Sequence, residues 1–196
     1  VPPARGEALR PGAAAVDDEG TARSTYERLP AARGRRWLPL SPLAPSDGGL
    51  ELFTTDGDLR AAASRVAHEL PSAYAIRVRG EPTPELLASL PGLALARNPP
   101  LRIDSVAVGG GEARNRWLEL SVRGARGRDL RALLADHGLE VGRVLRVRFG
   151  PIALDPALAR VRHRGLAGGE RDALYEALGL PRPGARRRTP RRRAGR

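Results

Sequence analysis

LAPSDGGLELFTTDG, Leu43 to Gly57, decides how the rest of this chain reads. Gly48 and Gly49 predict a break in the chain. Beyond it Leu50, Leu52 and Thr54 alternate with Glu51, Phe53 and Thr55, the period-two pattern of a strand with two unlike faces. Asp56-Gly57 ends that strand, and Asp56 is placed to cap a following helix. A tight loop feeding a strand is a common way to hold a reactive side chain on a rigid scaffold.

Toward the C-terminus, Leu59, Ala62, Ala63, Val66 and Leu70 recur at helical spacing, and Pro71 stops the run. Ala73 to Arg79 reads as a strand with Tyr74, Ile76 and Val78 on one face. Thr83 and Pro84 open a short helix that Gly92 ends. Leu101–Val108 and Arg116–Arg123 predict a hairpin around the turn Gly109-Gly110-Gly111. Leu130, Leu133 and Leu134 form the apolar stripe of a helix over 128–137, closed by Gly138. Val141 to Phe149 is a strand, 157–169 a loop, and Glu170 to Leu178 a last short helix. Toward the N-terminus, Trp37, Leu38 and Leu40 make a short strand. Residues 1–20, rich in Pro, Ala and Gly, read as a flexible segment.

Composition narrows the classes of function. The chain has 196 residues, a net charge of +12 and 34 basic residues, all Arg. The stretch 182–196 carries eight of them and no acid, so the body before it is only mildly basic. That tail is expected to be disordered and able to contact RNA. Arg offers a planar fork suited to phosphate and base edges. With no Cys there is no disulfide, thiol nucleophile or thiolate metal site. No apolar run approaches about 18 residues, which excludes a membrane-spanning helix, and the first residues lack the apolar core of a signal peptide. A cytoplasmic location is expected. His68, His137 and His163 show no ligand spacing, so no metal site is expected.

Five stretches carry a resemblance. GLELFTTDG is similar to the end of GRLDxxTxGLLLFTTDG, a motif of the RsuA/RluB family of bacterial ribosomal RNA pseudouridine synthases. TYERLPAARGRRWLPL, from Thr25, resembles the segment before that motif. GARGRDLRALL, Gly124 to Leu134, resembles GRNREVRRL, and RVLRVRFGPIAL, Arg143 to Leu154, resembles a closing RLxRxRxGxIxL strand. SAYAIRV, around Tyr74, is similar to KTYxVxV. The resemblance implies an α+β domain over 21–180, with a mixed, mainly antiparallel sheet, flanking helices and a central cleft. The disordered Arg-rich tail occupies 181–196. The small S4 RNA-binding domain of such proteins is expected to be absent from this chain.

In that family an Asp carboxylate attacks the target nucleoside, and the uracil detaches, turns over and rejoins through carbon, with no cofactor. By alignment Tyr74 is the platform for the flipped base, Arg131 the cation paired with the Asp, and Leu145 (or Val144) a pocket wall. Arg126, Arg128 and Arg146 are the expected RNA contacts of the body. Arg186, Arg187, Arg188, Arg191, Arg192 and Arg193 are those of the tail. The match departs where the chemistry sits. Counting back from Phe53, the family's Asp falls on Ala44 and its Thr on Asp47, while Gly127 replaces the Asn of GRNRE and Ser72 stands where a Lys or Arg often precedes the Tyr. An alanine cannot act as nucleophile. The expected protein is therefore an RNA-binding, monomeric homologue with an impaired or inert site and ribosomal RNA as partner. Two alternatives stand beside it. One is an active isomerase using Asp47, which needs an Asp47–Arg131 contact within about 4 Å. The other is a non-catalytic ribosome-assembly or RNA-associated protein that works through its tail.

Overall fold

A computed structural model describes residues 14–16, 22–24, 28–91, 93–95, 100–112, 115–159 and 161–183. The arginine tail beyond 183, including Arg186–Arg188 and Arg191–Arg193, lies outside the described residues.

Fifteen elements follow in order: β1 (Ala14–Val16), β2 (Ala22–Ser24), β3 (Leu38–Pro39), β4 (Asp47–Gly49), β5 (Phe53–Thr54), α1 (Gly57–Val66), β6 (Ser72–Arg79), α2 (Pro84–Ser89), β7 (Ala94–Leu95), β8 (Leu101–Glu112), β9 (Asn115–Arg123), α3 (Gly127–Asp136), β10 (Glu140–Phe149), β11 (Ile152–Ala153) and α4 (Gly168–Ala177). The main sheet runs β11-β10-β6-β9-β8-β7 with every pairing antiparallel, and β4 adds to β10 in parallel. This is the mixed, mainly antiparallel α+β architecture expected.

Two apolar clusters hold it. Strand alternation puts Tyr74, Ile76 and Val78 of β6, Leu118, Leu120 and Val122 of β9 and Val144 of β10 on one face. Leu130, Leu133 and Leu134 of α3 cover them. A second cluster joins Leu40, Leu50 and Leu52 to Leu59, Ala62 and Ala63 of α1, Phe149, Ile152, and Leu174 and Leu178 at the C-terminal end.

The helices begin as local chemistry dictates. Asp56 caps α1, accepting from the Asp58 and Leu59 amides, and Thr83 caps α2 with Pro84 at its first position. At α4 no side chain caps from Ala167. Instead Glu170 reaches back to the Ala167 amide at 2.8 Å and takes both Nη atoms of Arg164 at 2.7 Å.

Three expectations are corrected. Gly48 and Gly49 do not break the chain; they form β4 beside β10. Gly49 adopts φ +99°, and a Cβ there would collide with the Arg146 carbonyl, so glycine is what permits this close approach. Gly109, Gly110 and Gly111 lie inside β8 instead of making the hairpin turn; the register shifts between Val108 and Gly111 where the glycines leave the ladder irregular. Within 1–20, Ala14–Val16 is paired with Ala22–Ser24, a strand too short for period two to reveal.

The Tyr175 hydroxyl donates to Asp56 Oδ2 at 2.8 Å and so ties α4 to the cap of α1. Burial, then the bond to Asp56, pushes the Tyr175 phenol up to about 12, and the same bond holds the Asp56 carboxyl below its ordinary value. The folded phenol pKa is raised, so its contribution to stability is complete below pH 10.0 and declines as pH climbs toward about 12. Melting curves of the native chain and of Tyr175→Phe should therefore converge between those pH values. Parallel curves would remove the link.

Candidate active site

The site is assembled on one face of the sheet where β4, β6 and β10 meet the start of α3. Ala44, Pro45, Ser46 and Asp47 form a β-turn closed by the Asp47 amide on the Ala44 carbonyl at 2.9 Å, with Pro45 pre-setting the second position. That single turn carries the chain from the position where the family motif has Asp to Asp47. Register then pairs Asp47 with Val144 and Arg146 with Tyr74, which sets Asp47, Val144, Arg146 and Tyr74 on the same side.

Asp47 Oδ1 accepts from Arg131 Nη2 at 3.1 Å and Nε at 3.3 Å, and from the Ser46 hydroxyl at 3.3 Å. The remaining Arg131 donors go to the Ser46 carbonyl at 3.1 Å and the Gly142 carbonyl at 2.9 Å. The Asp47–Arg131 contact thus falls inside the separation expected for it. The Asp47 side chain is 2% exposed and that of Arg131 25%. The carboxylate lies at the first turn of α3, where the helix dipole favours an anion. It can lie there because residue 127 is glycine: a Cβ on Gly127 would overlap Asp47 Oδ2. The two departures from the family motif, Asp47 and Gly127, are therefore one steric arrangement.

Tyr74 is 3% exposed, and its hydroxyl reaches the Ala125 carbonyl at 3.4 Å. Burial pushes this phenol above its ordinary pKa. Leu145 is a correction: it pairs with Ala75 and so points to the face opposite Tyr74, whereas Val144 shares the Tyr74 cluster. Arg146 is a second correction. Expected among RNA contacts, it is 2% exposed. Its Nε donates to the Leu50 carbonyl at 3.0 Å, and Nη1 and Nη2 bond the Ser41 hydroxyl at 3.0 Å and the Ser41 carbonyl at 2.8 Å. The guanidinium also lies 5.3 Å from the centroid of the Phe149 ring. Alternation along β10 turns Arg146 inward, and it pins the loop holding Ser41 to Leu50, just past the end of β4. Arg126 and Arg128 are exposed at the start of α3, where the Arg126 amide is capped by Asp129 at 2.8 Å.

Sequence reasoning missed Ser41, Ser46 and the inward role of Arg146. Ser46 bonds its neighbour Asp47, while Ser41 and Arg146 meet across 105 positions, and no motif records either contact. Among the described residues no group of three or more His, Asp or Glu could hold a metal ion, and no helix is long and apolar enough to cross a membrane.

The mainly antiparallel sheet with its flanking helices is the fold of a pseudouridine synthase-type domain. A solved pseudouridylate synthase shares this fold, with a TM-score of 0.64, 18% sequence identity and coverage of 87% of this chain and 71% of that one. No family model matches the chain. It is 38% identical over 165 residues to ribosomal large subunit pseudouridine synthase B of Pseudomonas aeruginosa, covering 84% of this chain and 43% of that protein. It is 33% identical over 165 residues to the protein of that name from Escherichia coli K12, covering 84% and 56%. The chain belongs to the RsuA/RluB family of bacterial ribosomal RNA pseudouridine synthases. It spans about half the length of these relatives.

Proposed function

We propose that this chain binds ribosomal RNA, of the large subunit by its relatives' names, through a pseudouridine synthase-type domain whose isomerisation step is inert or strongly impaired. One observation carries the reading. The carboxylate paired with Arg131 is that of Asp47, and its side chain is 2% exposed. Attack on a nucleoside requires an oxygen that the substrate can reach, and half-buried Ala44 offers only a methyl group. Loss of a covalent nucleophile removes most of a rate enhancement of roughly 10⁶-fold or more. Arg126 and Arg128, exposed at the start of α3, are the body's RNA contacts in this reading, and the arginine tail adds sequence-independent affinity. The protein acts as a cytoplasmic monomer without a cofactor.

The second reading is a working isomerase that uses Asp47. The 3.1 Å pairing with Arg131 favours it, because a cation keeps a carboxylate ionised for attack. It requires the Ala44–Asp47 turn to open.

The test is reverse-transcription mapping of pseudouridine in a large-subunit rRNA fragment incubated with the native chain and with Asp47→Asn, alongside binding titrations. The native chain should bind and leave the uridines unchanged. Arg126→Glu with Arg128→Glu should weaken binding roughly tenfold, and log K should fall with log[salt] by about 0.7 to 0.9 per phosphate contact. Pseudouridine formed by the native chain and lost in Asp47→Asn would establish the second reading. No binding would overturn both.

A further inference from the structure

A cavity of about 440 Å³ opens on the side of the second apolar cluster, and none of Asp47, Tyr74 or Arg131 lines it. Its walls include Trp37, Phe53 and Tyr175, with Arg162 and His163 among its polar lining. The aromatic walls are held in place. The Trp37 indole N–H donates to the Pro30 carbonyl at 2.7 Å, and the Tyr175 hydroxyl donates to Asp56 at 2.8 Å. With these polar atoms engaged, the rings present fixed apolar surface.

The segment that supplies Arg162 and His163 is anchored from one side. Arg164 is fastened to Glu170 at 2.7 Å and to Asp155 at 3.5 Å, so its charge is spent within the fold. Arg162 and His163, just before it, are exposed and take part in no ion pair among the described residues. Val161 adopts φ +57° and remains 37% exposed. A β-branched residue held in the left-handed region is strained, and such strain persists where surrounding contacts over-determine a site. Here it sets the Arg162 guanidinium and the His163 imidazole beside an aromatic-walled cavity large enough for a mononucleotide.

We propose that this cavity is a second binding site that takes one nucleotide, its base against Trp37 and Tyr175 and its phosphate at Arg162 and His163. A flat apolar ring that also carries an anion is the ligand these walls fit, and base–aromatic stacking tolerates any base. The source of the nucleotide in the cell, an unpaired residue of an RNA strand or a free mononucleotide, is separated by the test. In its RNA form the site rests on the RNA-binding reading above.

Trp37 fluorescence in a Trp117→Phe chain reports occupancy, with uridine 5′-monophosphate, uridine and hexauridylate as probes. Both phosphorylated probes should quench saturably, and uridine should bind about tenfold more weakly. Arg162→Ala with His163→Ala should weaken uridine 5′-monophosphate about tenfold and leave the melting temperature unchanged. Quenching by hexauridylate and the mononucleotide assigns the site to RNA; quenching by the mononucleotide alone assigns it to a free nucleotide. Quenching by neither, or quenching indifferent to the double substitution, overturns the proposal. Binding of the structured rRNA fragment is read separately, so loss of this site and loss of RNA binding as a whole give different results.

Discussion

Gly127→Ala should destabilise the domain by about 2–4 kcal/mol in urea unfolding, although helix propensity argues the other way. Gly127 opens α3 without a positive φ, and alanine there would ordinarily stabilise by up to about 1 kcal/mol. The steric term outweighs that gain. A Cβ would overlap Asp47 Oδ2, and the Asp47 side chain, 2% exposed, has no room to swing into water. Either the carboxylate leaves Arg131, which strands a cation whose other donors are committed to carbonyls, or α3 shifts off the sheet. Breaking such a buried pair costs roughly 3–5 kcal/mol, and partial relief by backbone movement lowers the figure. Asp47→Ala should itself destabilise, but in that background Gly127→Ala should become neutral or stabilising. The double-mutant cycle should show coupling of at least about 1 kcal/mol. A stabilising single Gly127→Ala would mean that Asp47 does not occupy the start of α3.

Arg146→Ala should be as severe, about 3–5 kcal/mol by the same measurement. The substitution removes three hydrogen bonds at once and leaves the Leu50 and Ser41 carbonyls without their donors. It also empties the space beside Phe149. Arg146→Lys should recover less than half of the loss, because an ammonium cannot span the Leu50 carbonyl and both Ser41 oxygens with a planar fork. The lost contacts tie the loop before Ala44 to β10, so limited proteolysis should cut between Ser41 and Gly48 in Arg146→Ala and spare the native chain. An Arg146→Ala chain as stable as the native one would return Arg146 to the surface role that sequence alone suggests.

Both residues fix the surroundings of the Asp47 turn, Gly127 by leaving room for its carboxylate and Arg146 by holding Ser41. In the proposed reading, a carboxylate placed at residue 44 would not by itself pair with Arg131, since Asp47 already does. The altered turn, the glycine at the start of α3 and the inward guanidinium of Arg146 act together, and a variant that addresses one leaves the others in place.

Much of the fold was legible in the chain because it depends on neighbours in sequence. Leu130, Leu133 and Leu134 announce α3, Tyr74, Ile76 and Val78 announce the inner face of β6, and Asp56 and Thr83 mark their helices by side chains that bond amides two or three residues on. The motifs fixed the family and the pairing expected for Arg131. Contacts distant in sequence were not legible. Gly48 and Gly49 look like a break until β10 is beside them, 96 positions separate Arg146 Nε from the Leu50 carbonyl that turns it inward, and nothing local assigns Leu145 and Val144 to opposite faces at the site. Gly127 reads as a lost functional residue, and only packing reveals it as the space that Asp47 fills. Periodicity and capping are energies of adjacent residues and survive in the one-dimensional string. Whether a carboxylate is reachable or enclosed depends on the surfaces that tertiary packing brings against it.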